Sequence, residues 1–173
     1  ICSFKSYSQA HFTSVYDSHA PFHMNINVLE ATLNGTNLQA GDEIAVFDGS
    51  ICCYSITLSQ PINPSNSSTF GILIPSKSYE TTINGYTVGH AITYKFWDAS
   101  ASTEISGVIT QYYDNLTNPT ATPTFTDDGT AFVKLSYSIP NIAPVANAGS
   151  DKSYTEGTFV TLDGSASSDV DNN

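Results

Sequence analysis

The chain has 173 residues, with five lysines, no arginine and sixteen acidic side chains, giving a formal charge of -11 at 12% charged residues. That balance excludes a nucleic-acid or anionic-membrane surface, because phosphate binding needs a cationic footprint and the guanidinium that clamps phosphate or carboxylate in two places is missing. The length suits one well-packed domain plus a fragment, and no run reaches the roughly 18 continuous apolar residues of a membrane-spanning helix.

In chain order, Ile1-Cys2-Ser3-Phe4-Lys5 lacks the basic start and apolar core of a signal peptide, predicting a mature form or an internal fragment. Helical periodicity is absent. Short runs rich in Val, Ile, Thr, Tyr and Phe recur between Gly, Asn, Asp, Ser and Pro clusters, which predicts an all-β domain. The first clear strand is Met24 to Leu33. Met24, Ile26 and Val28 alternate with Asn25 and Asn27, then the phase shifts to Leu29, Ala31 and Leu33, predicting a β-bulge at the shift. Asn34-Gly35 and Ala40-Gly41-Asp42 turn the chain. Ile44 to Phe47 is apolar on both sides, as in a central strand covered on two faces. Asp48-Gly49 predicts a hairpin. The returning strand is expected to place Cys52, Tyr54, Ile56 and Leu58 inward, with Cys53, Ser55 and Thr57 opposite. A polar loop covers 59–68, and the remaining strand candidates are Thr69 to Ile74, Ala91 to Trp97, Glu104 to Tyr113 and Ala131 to Tyr137. Asp127-Asp128-Gly129 turns into the last of these. Seven or eight strands of this spacing predict a β-sandwich, jelly-roll or immunoglobulin-like, over residues 1–139. Pro140 to Pro144 is the linker, since its prolines stiffen the chain and deny ladder hydrogen bonds.

The segment 145–173 carries a more specific signal. Pro144-Val145-Ala146-Asn147-Ala148-Gly149, followed by Thr161-Leu162-Asp163-Gly164-Ser165-Ala166-Ser167-Ser168-Asp169, resembles the opening of a PKD (polycystic-kidney-disease) domain. That resemblance implies a partial immunoglobulin-like sandwich and one slice of a longer, multimodular secreted bacterial protein. The main domain has its own likeness, carried by Phe22-His23-Met24-Asn25-Ile26, by Leu38-Gln39-Ala40-Gly41-Asp42-Glu43-Ile44-Ala45-Val46-Phe47-Asp48-Gly49, by Ile92 to Ala99 and by Gly129 to Val133. These runs resemble a module of secreted and surface proteins from bacteria with a type IX-like export route. The two resemblances imply an extracellular or cell-surface location and modular context; they imply no catalytic chemistry.

Candidate sites follow from residue chemistry. On the strand Ala91 to Trp97, Ile92, Tyr94 and Phe96 share the core face, which leaves Thr93, Lys95 and Trp97 outward. An outward indole beside a lysine marks a contact surface, and a flat aromatic face stacks on a sugar ring. Tyr54, and one of Tyr112 and Tyr113, could extend such a platform. The competing structural account has Trp97 folding over the sandwich rim as a core plug. Asp169-Val170-Asp171-Asn172-Asn173 begins like a calcium loop, with Asp163 as a further ligand; its structural alternative is a solvated Asp/Asn turn. Asp42, Glu43 and Asp48 form a second, weaker calcium candidate. Cys2 is expected to pair with Cys52 or Cys53, Cys52 being preferred for its expected inward position, and a vicinal Cys52–Cys53 bridge is the alternative. His19 and His23 have the spacing of a helical metal pair, but Pro21 breaks that geometry. No G-x-S-x-G, H-E-x-x-H or phosphate loop is present in the sequence.

The expectation is a non-catalytic extracellular module for adhesion or ligand binding, with a polysaccharide or cell-surface ligand. The alternative is a self-associating structural subunit of a filament or surface assembly, because half a sandwich leaves Val160, Leu162 and strand edges uncovered. A polysaccharide-degrading enzyme ranks last, since the carboxylate pair of a glycosidase converges only in space.

Overall fold

The computed structural model describes residues 10–16, 22–62, 72–78, 84–114, 117–140 and 142–169. The chain divides into two compact units, Ile1–Ser138 and Ile139–Asn173. The first is all-β. Its strands in chain order are β1 (His23–Leu33), β2 (Thr36–Asn37), β3 (Glu43–Asp48), β4 (Ile51–Thr57), β5 (Ile72–Lys77), β6 (Thr93–Asp98), β7 (Thr103–Ile105), β8 (Ile109–Tyr113), β9 (Pro119–Thr120) and β10 (Thr130–Tyr137). No helix among the described residues is long and apolar enough to cross a membrane.

The strands form two sheets. The six-stranded sheet runs β2-β1-β10-β8-β9 with β5 also on β1, and the four-stranded sheet runs β4-β3-β6-β7. Alternation along each strand explains why the sheets face one another. Met24, Ile26 and Val28 of β1, Val133 and Leu135 of β10, and Ile74 of β5 meet Ile44, Val46, Tyr94 and Phe96 of the other sheet in one core. The inward hydroxyls of Tyr94 and Tyr112 lie 3.1 Å apart and form a hydrogen bond across that core, as a buried phenol requires. Burial pushes both phenols up, Tyr112 to about 12.

The sequence-level bulge is present: the parallel β1–β10 register shifts between Val28 and Glu30. Asn34 and Gly35 both take positive φ, 51° and 76°, the pair of values a primed two-residue hairpin needs. Two expectations are corrected. The run from Glu104 to Tyr113 is two strands, not one: β7 pairs with β6 in the four-stranded sheet and β8 pairs with β10 in the other. Gly107, at φ 79°, lies between them, and it supplies a backbone conformation that a side chain resists.

The second correction concerns β4. A bulge shifts the β3–β4 register between Val46 and Phe47, so that Phe47 opposes Cys52 while Val46 opposes Tyr54. Cys53 is the extra residue. It joins the main core on the side of Tyr54 and Ile56, whereas Cys52 faces outward under Phe12.

Within the second unit, a single antiparallel bridge, Val145 to Ser168, is made among the described residues. Two reciprocal backbone hydrogen bonds of 2.8 and 3.0 Å hold it. Phe159 is 101% exposed and Leu162 91%. A groove of about 460 Å³ runs beside Tyr154, Val160 and Leu162.

Candidate ligand-binding face and its strap

Outward residues of the four-stranded sheet gather the candidate site. On β3 these are Glu43, Ala45 and Phe47; on β6 they are Trp97, Lys95 and Thr93, directly opposite in register. Glu104 of β7 pairs with Trp97 on the far side. The sheet thus brings together Thr93, Lys95 and Trp97 as their alternation predicts. Tyr54 is not among them: it packs against the main core on the sheet's other face and meets Tyr16 edge-on at 5.0 Å. Tyr112 is likewise buried in the core.

Sequence patterns gave no indication of what covers this face. Residues 10–16 form a strap across it. Phe12 is buried against Ala45, Phe47 and Cys52 in a second, smaller apolar cluster, with Trp97 packed alongside. The rings of Phe12 and Phe47 meet edge-on at 5.8 Å. His11 lies flat on Trp97, 3.8 Å between centroids and 5° from parallel. One face of the indole is therefore occupied, and Trp97 acts neither as a bare platform nor as a plug of the main core.

Charged groups tie the strap down. Glu43 is 3% exposed, and its two carboxylate oxygens accept the backbone N–H groups of His11 at 2.7 Å and Phe12 at 3.1 Å. Such charge-assisted bonds make the burial of a carboxylate tolerable. The Ser55 hydroxyl donates to the Phe12 carbonyl at 3.2 Å, and the Val15 N–H to the Cys52 carbonyl at 3.0 Å. Farther along, Glu104 bridges the Lys95 ammonium at 2.7 Å and His11 Nε2 at 3.1 Å. The bonds from Lys95 and then His11 hold the Glu104 carboxyl below its usual range. The Lys95 ammonium also lies 5.0 Å from the centre of the Phe47 ring, and the exposed Thr93 donates its hydroxyl to the Phe47 carbonyl at 3.2 Å.

The acidic residues of the Asp42 to Asp48 run have structural work. Asp42 accepts the N–H groups of Gln39 at 2.7 Å and Ala99 at 3.0 Å, joining two loops. Asp48 accepts the Thr87 N–H at 2.8 Å and faces His90 Nδ1 at 3.0 Å. With Glu43 under the strap, each of the three carboxylates has hydrogen-bond partners of its own. In the second unit Asp163 is exposed and accepts the Ser165 N–H at 2.9 Å; the Ser165 hydroxyl and then that N–H hold its carboxyl below the usual value. Asp169 is described, and Asp171 lies outside the described residues. Among the described residues no three His, Cys, Asp or Glu side chains group around a common point.

Cys52 and Cys53 are buried free thiols. Burial pushes them up to about 11 and about 12 respectively, which favours the thiol over the thiolate. Cys2 lies outside the described residues, as do His19 and Pro21.

This candidate face therefore holds an indole, an imidazole, an ammonium, a carboxylate and a hydroxyl within one sheet surface. His11, Phe12, Glu43 and Glu104 are the members that alternation does not announce. For Glu104 no sequence signal was available, because its place beside Trp97 is set by the β6–β7 pairing. No family model, curated protein or solved structure matches the chain.

Proposed function

We propose that the chain is a non-catalytic extracellular module of a cell-surface or secreted protein, binding carbohydrate through Trp97, Lys95, Thr93, Glu104 and His11. The observation that carries this reading is the Trp97 side chain held on an outward sheet face beside an ion-paired Lys95 and Glu104. Sugars are recognised by an apolar ring edge combined with donors and acceptors fixed in direction. An acidic chain without arginine favours a neutral polysaccharide over a polyanion.

The test is retention on a panel of insoluble polysaccharides, comparing the unmodified chain with Trp97→Ala and Lys95→Ala. Retention lost in both variants, with Lys95→Ala keeping its melting temperature, supports the reading. No retention by the unmodified chain, or retention indifferent to both substitutions, refutes it.

A second reading, a self-associating structural subunit, is favoured by the second unit. The exposure of Phe159 and Leu162 calls for a covering surface. Sedimentation of the chain with and without residues 140–173 tests it: loss of an oligomer on removal supports assembly through this unit, and unchanged mass refutes it.

A further inference from the structure

The strap is held as a bound peptide is held. Its hydrogen bonds reach residues distant in sequence: Glu43 from His11 and Phe12, Ser55 from Phe12, and Glu104 from His11 at 93 positions' remove. It forms no strand of either sheet. Recognition has three parts: a buried carboxylate clamping two consecutive backbone N–H groups, an apolar seat for one aromatic side chain, and a ring stack. This is how extended segments are captured in general, with main-chain bonds for affinity and one pocket for specificity.

We propose that the groove formed by Glu43, Ala45, Phe47, Cys52 and Trp97 is a docking site for residues 10–16 of a second copy of this chain. The seated strap itself identifies the occupant, since its fit to the groove is already in the structure. Every copy carries both groove and segment, so reciprocal exchange closes into a symmetric dimer with the same contacts. The chain's own strap competes at the high effective concentration of a tether, commonly about 1 mM, so exchange prevails in crowded arrays or when the resident strap is weakened. This inference goes beyond the carbohydrate reading and does not depend on it: the two share Trp97, but Lys95 enters only the polysaccharide panel and the seat of Phe12 against Ala45 only the docking.

Two full-length variants test it. Phe12→Ala disables the strap and keeps the groove; Ala45→Phe fills the seat and keeps the strap. Mixed in equal amounts, they should form a heterodimer in sedimentation, while neither associates alone. A direct probe is the peptide Ala-His-Phe-Thr-Ser-Val-Tyr, residues 10–16. Trp97 is the chain's one tryptophan, so its emission reports the stack. Added to the Phe12→Ala chain, the peptide should change that emission saturably, and a peptide with alanine in place of phenylalanine should bind at least about tenfold more weakly. Should Phe12→Ala fail to fold, the unmodified chain and a dye-labelled peptide serve instead, with uptake expected near about 1 mM through displacement of the resident strap. No heterodimer from two folded variants, or no peptide uptake at that concentration, overturns the proposal.

Discussion

Tyr94 and Tyr112 offer a sharp test of how the two sheets are joined. They come from different sheets, both lie almost entirely buried, and their hydroxyls meet at 3.1 Å. Tyr94→Phe removes one hydroxyl and leaves the other in apolar surroundings without its partner. Such an orphan costs about 1–3 kcal/mol, a fall of roughly 2–4 °C in Tm per kcal/mol for a chain of this size. Tyr112→Phe should cost a similar amount for the same reason. The double variant should not cost the sum. With both hydroxyls gone, two rings of unchanged shape pack as hydrocarbons, and the loss should fall to about 1 kcal/mol or less. The assay is urea unfolding at neutral pH followed by Trp97 emission, which reports the first unit, with the four proteins forming a double-mutant cycle. Additive losses would show that the hydroxyls act independently and would refute an inter-sheet bond across the core.

Gly85→Ala should destabilise the first unit by about 1–3 kcal/mol, because a Cβ there would lie 2.4 Å from the backbone carbonyl oxygens of both Lys77 and Ser78; a Tm equal to that of the unmodified chain would contradict this. Alkaline titration should weaken the fold in a defined window. Tyr112 is raised from 10.0 to about 12 and Cys53 from 9.0 to about 12, so their contribution is complete below pH 9 and is lost as pH climbs toward 12. Cys53→Ala should shrink that loss without moving its onset, because Cys52 is raised from the same 9.0 to about 11, as judged by circular dichroism across the range. At the acid end, the lowered Glu104 carboxyl contributes above its usual value of 4.5 and loses that contribution as pH falls through the folded value. Glu104→Gln should therefore flatten the acid limb of the Trp97 emission profile.

Local patterns were legible where one strand face was buried and the other was not. Ile92, Tyr94 and Phe96 point inward because their neighbours are polar, and the β1 bulge shows as two apolar residues meeting at a phase change. The cysteines were misplaced for the same physical reason. A bulge opposite Val46 and Phe47 reverses the phase of β4, and two identical neighbouring side chains offer no contrast to reveal it. Glu104 to Tyr113 looked continuous because both halves are β-prone, while the switch of sheet is decided by pairing partners far away in sequence. The strap was invisible for a related reason. His11 and Phe12 form no periodic pattern, and the partner that fixes them, Glu43, resembles any solvated acid until the fold buries it. The outward position of Trp97 was legible; the imidazole lying on it was not.

The parallel pairing of β1 with β10 also governs how this unit answers to force. The ladder runs from Asn25 opposite Thr130 to Leu33 opposite Tyr137, so chain entering at His23 and chain leaving at Tyr137 attach to its opposite ends. Tension along the polypeptide then drags the two strands past each other lengthwise, and the bonds share the load instead of opening one after another. The strap, held by a handful of contacts on the other sheet, lies upstream of that ladder and peels first. Stretching would pass through an early, compliant stage before meeting a stiff one, in a regime where survival is set by the rate of unfolding and not by its equilibrium.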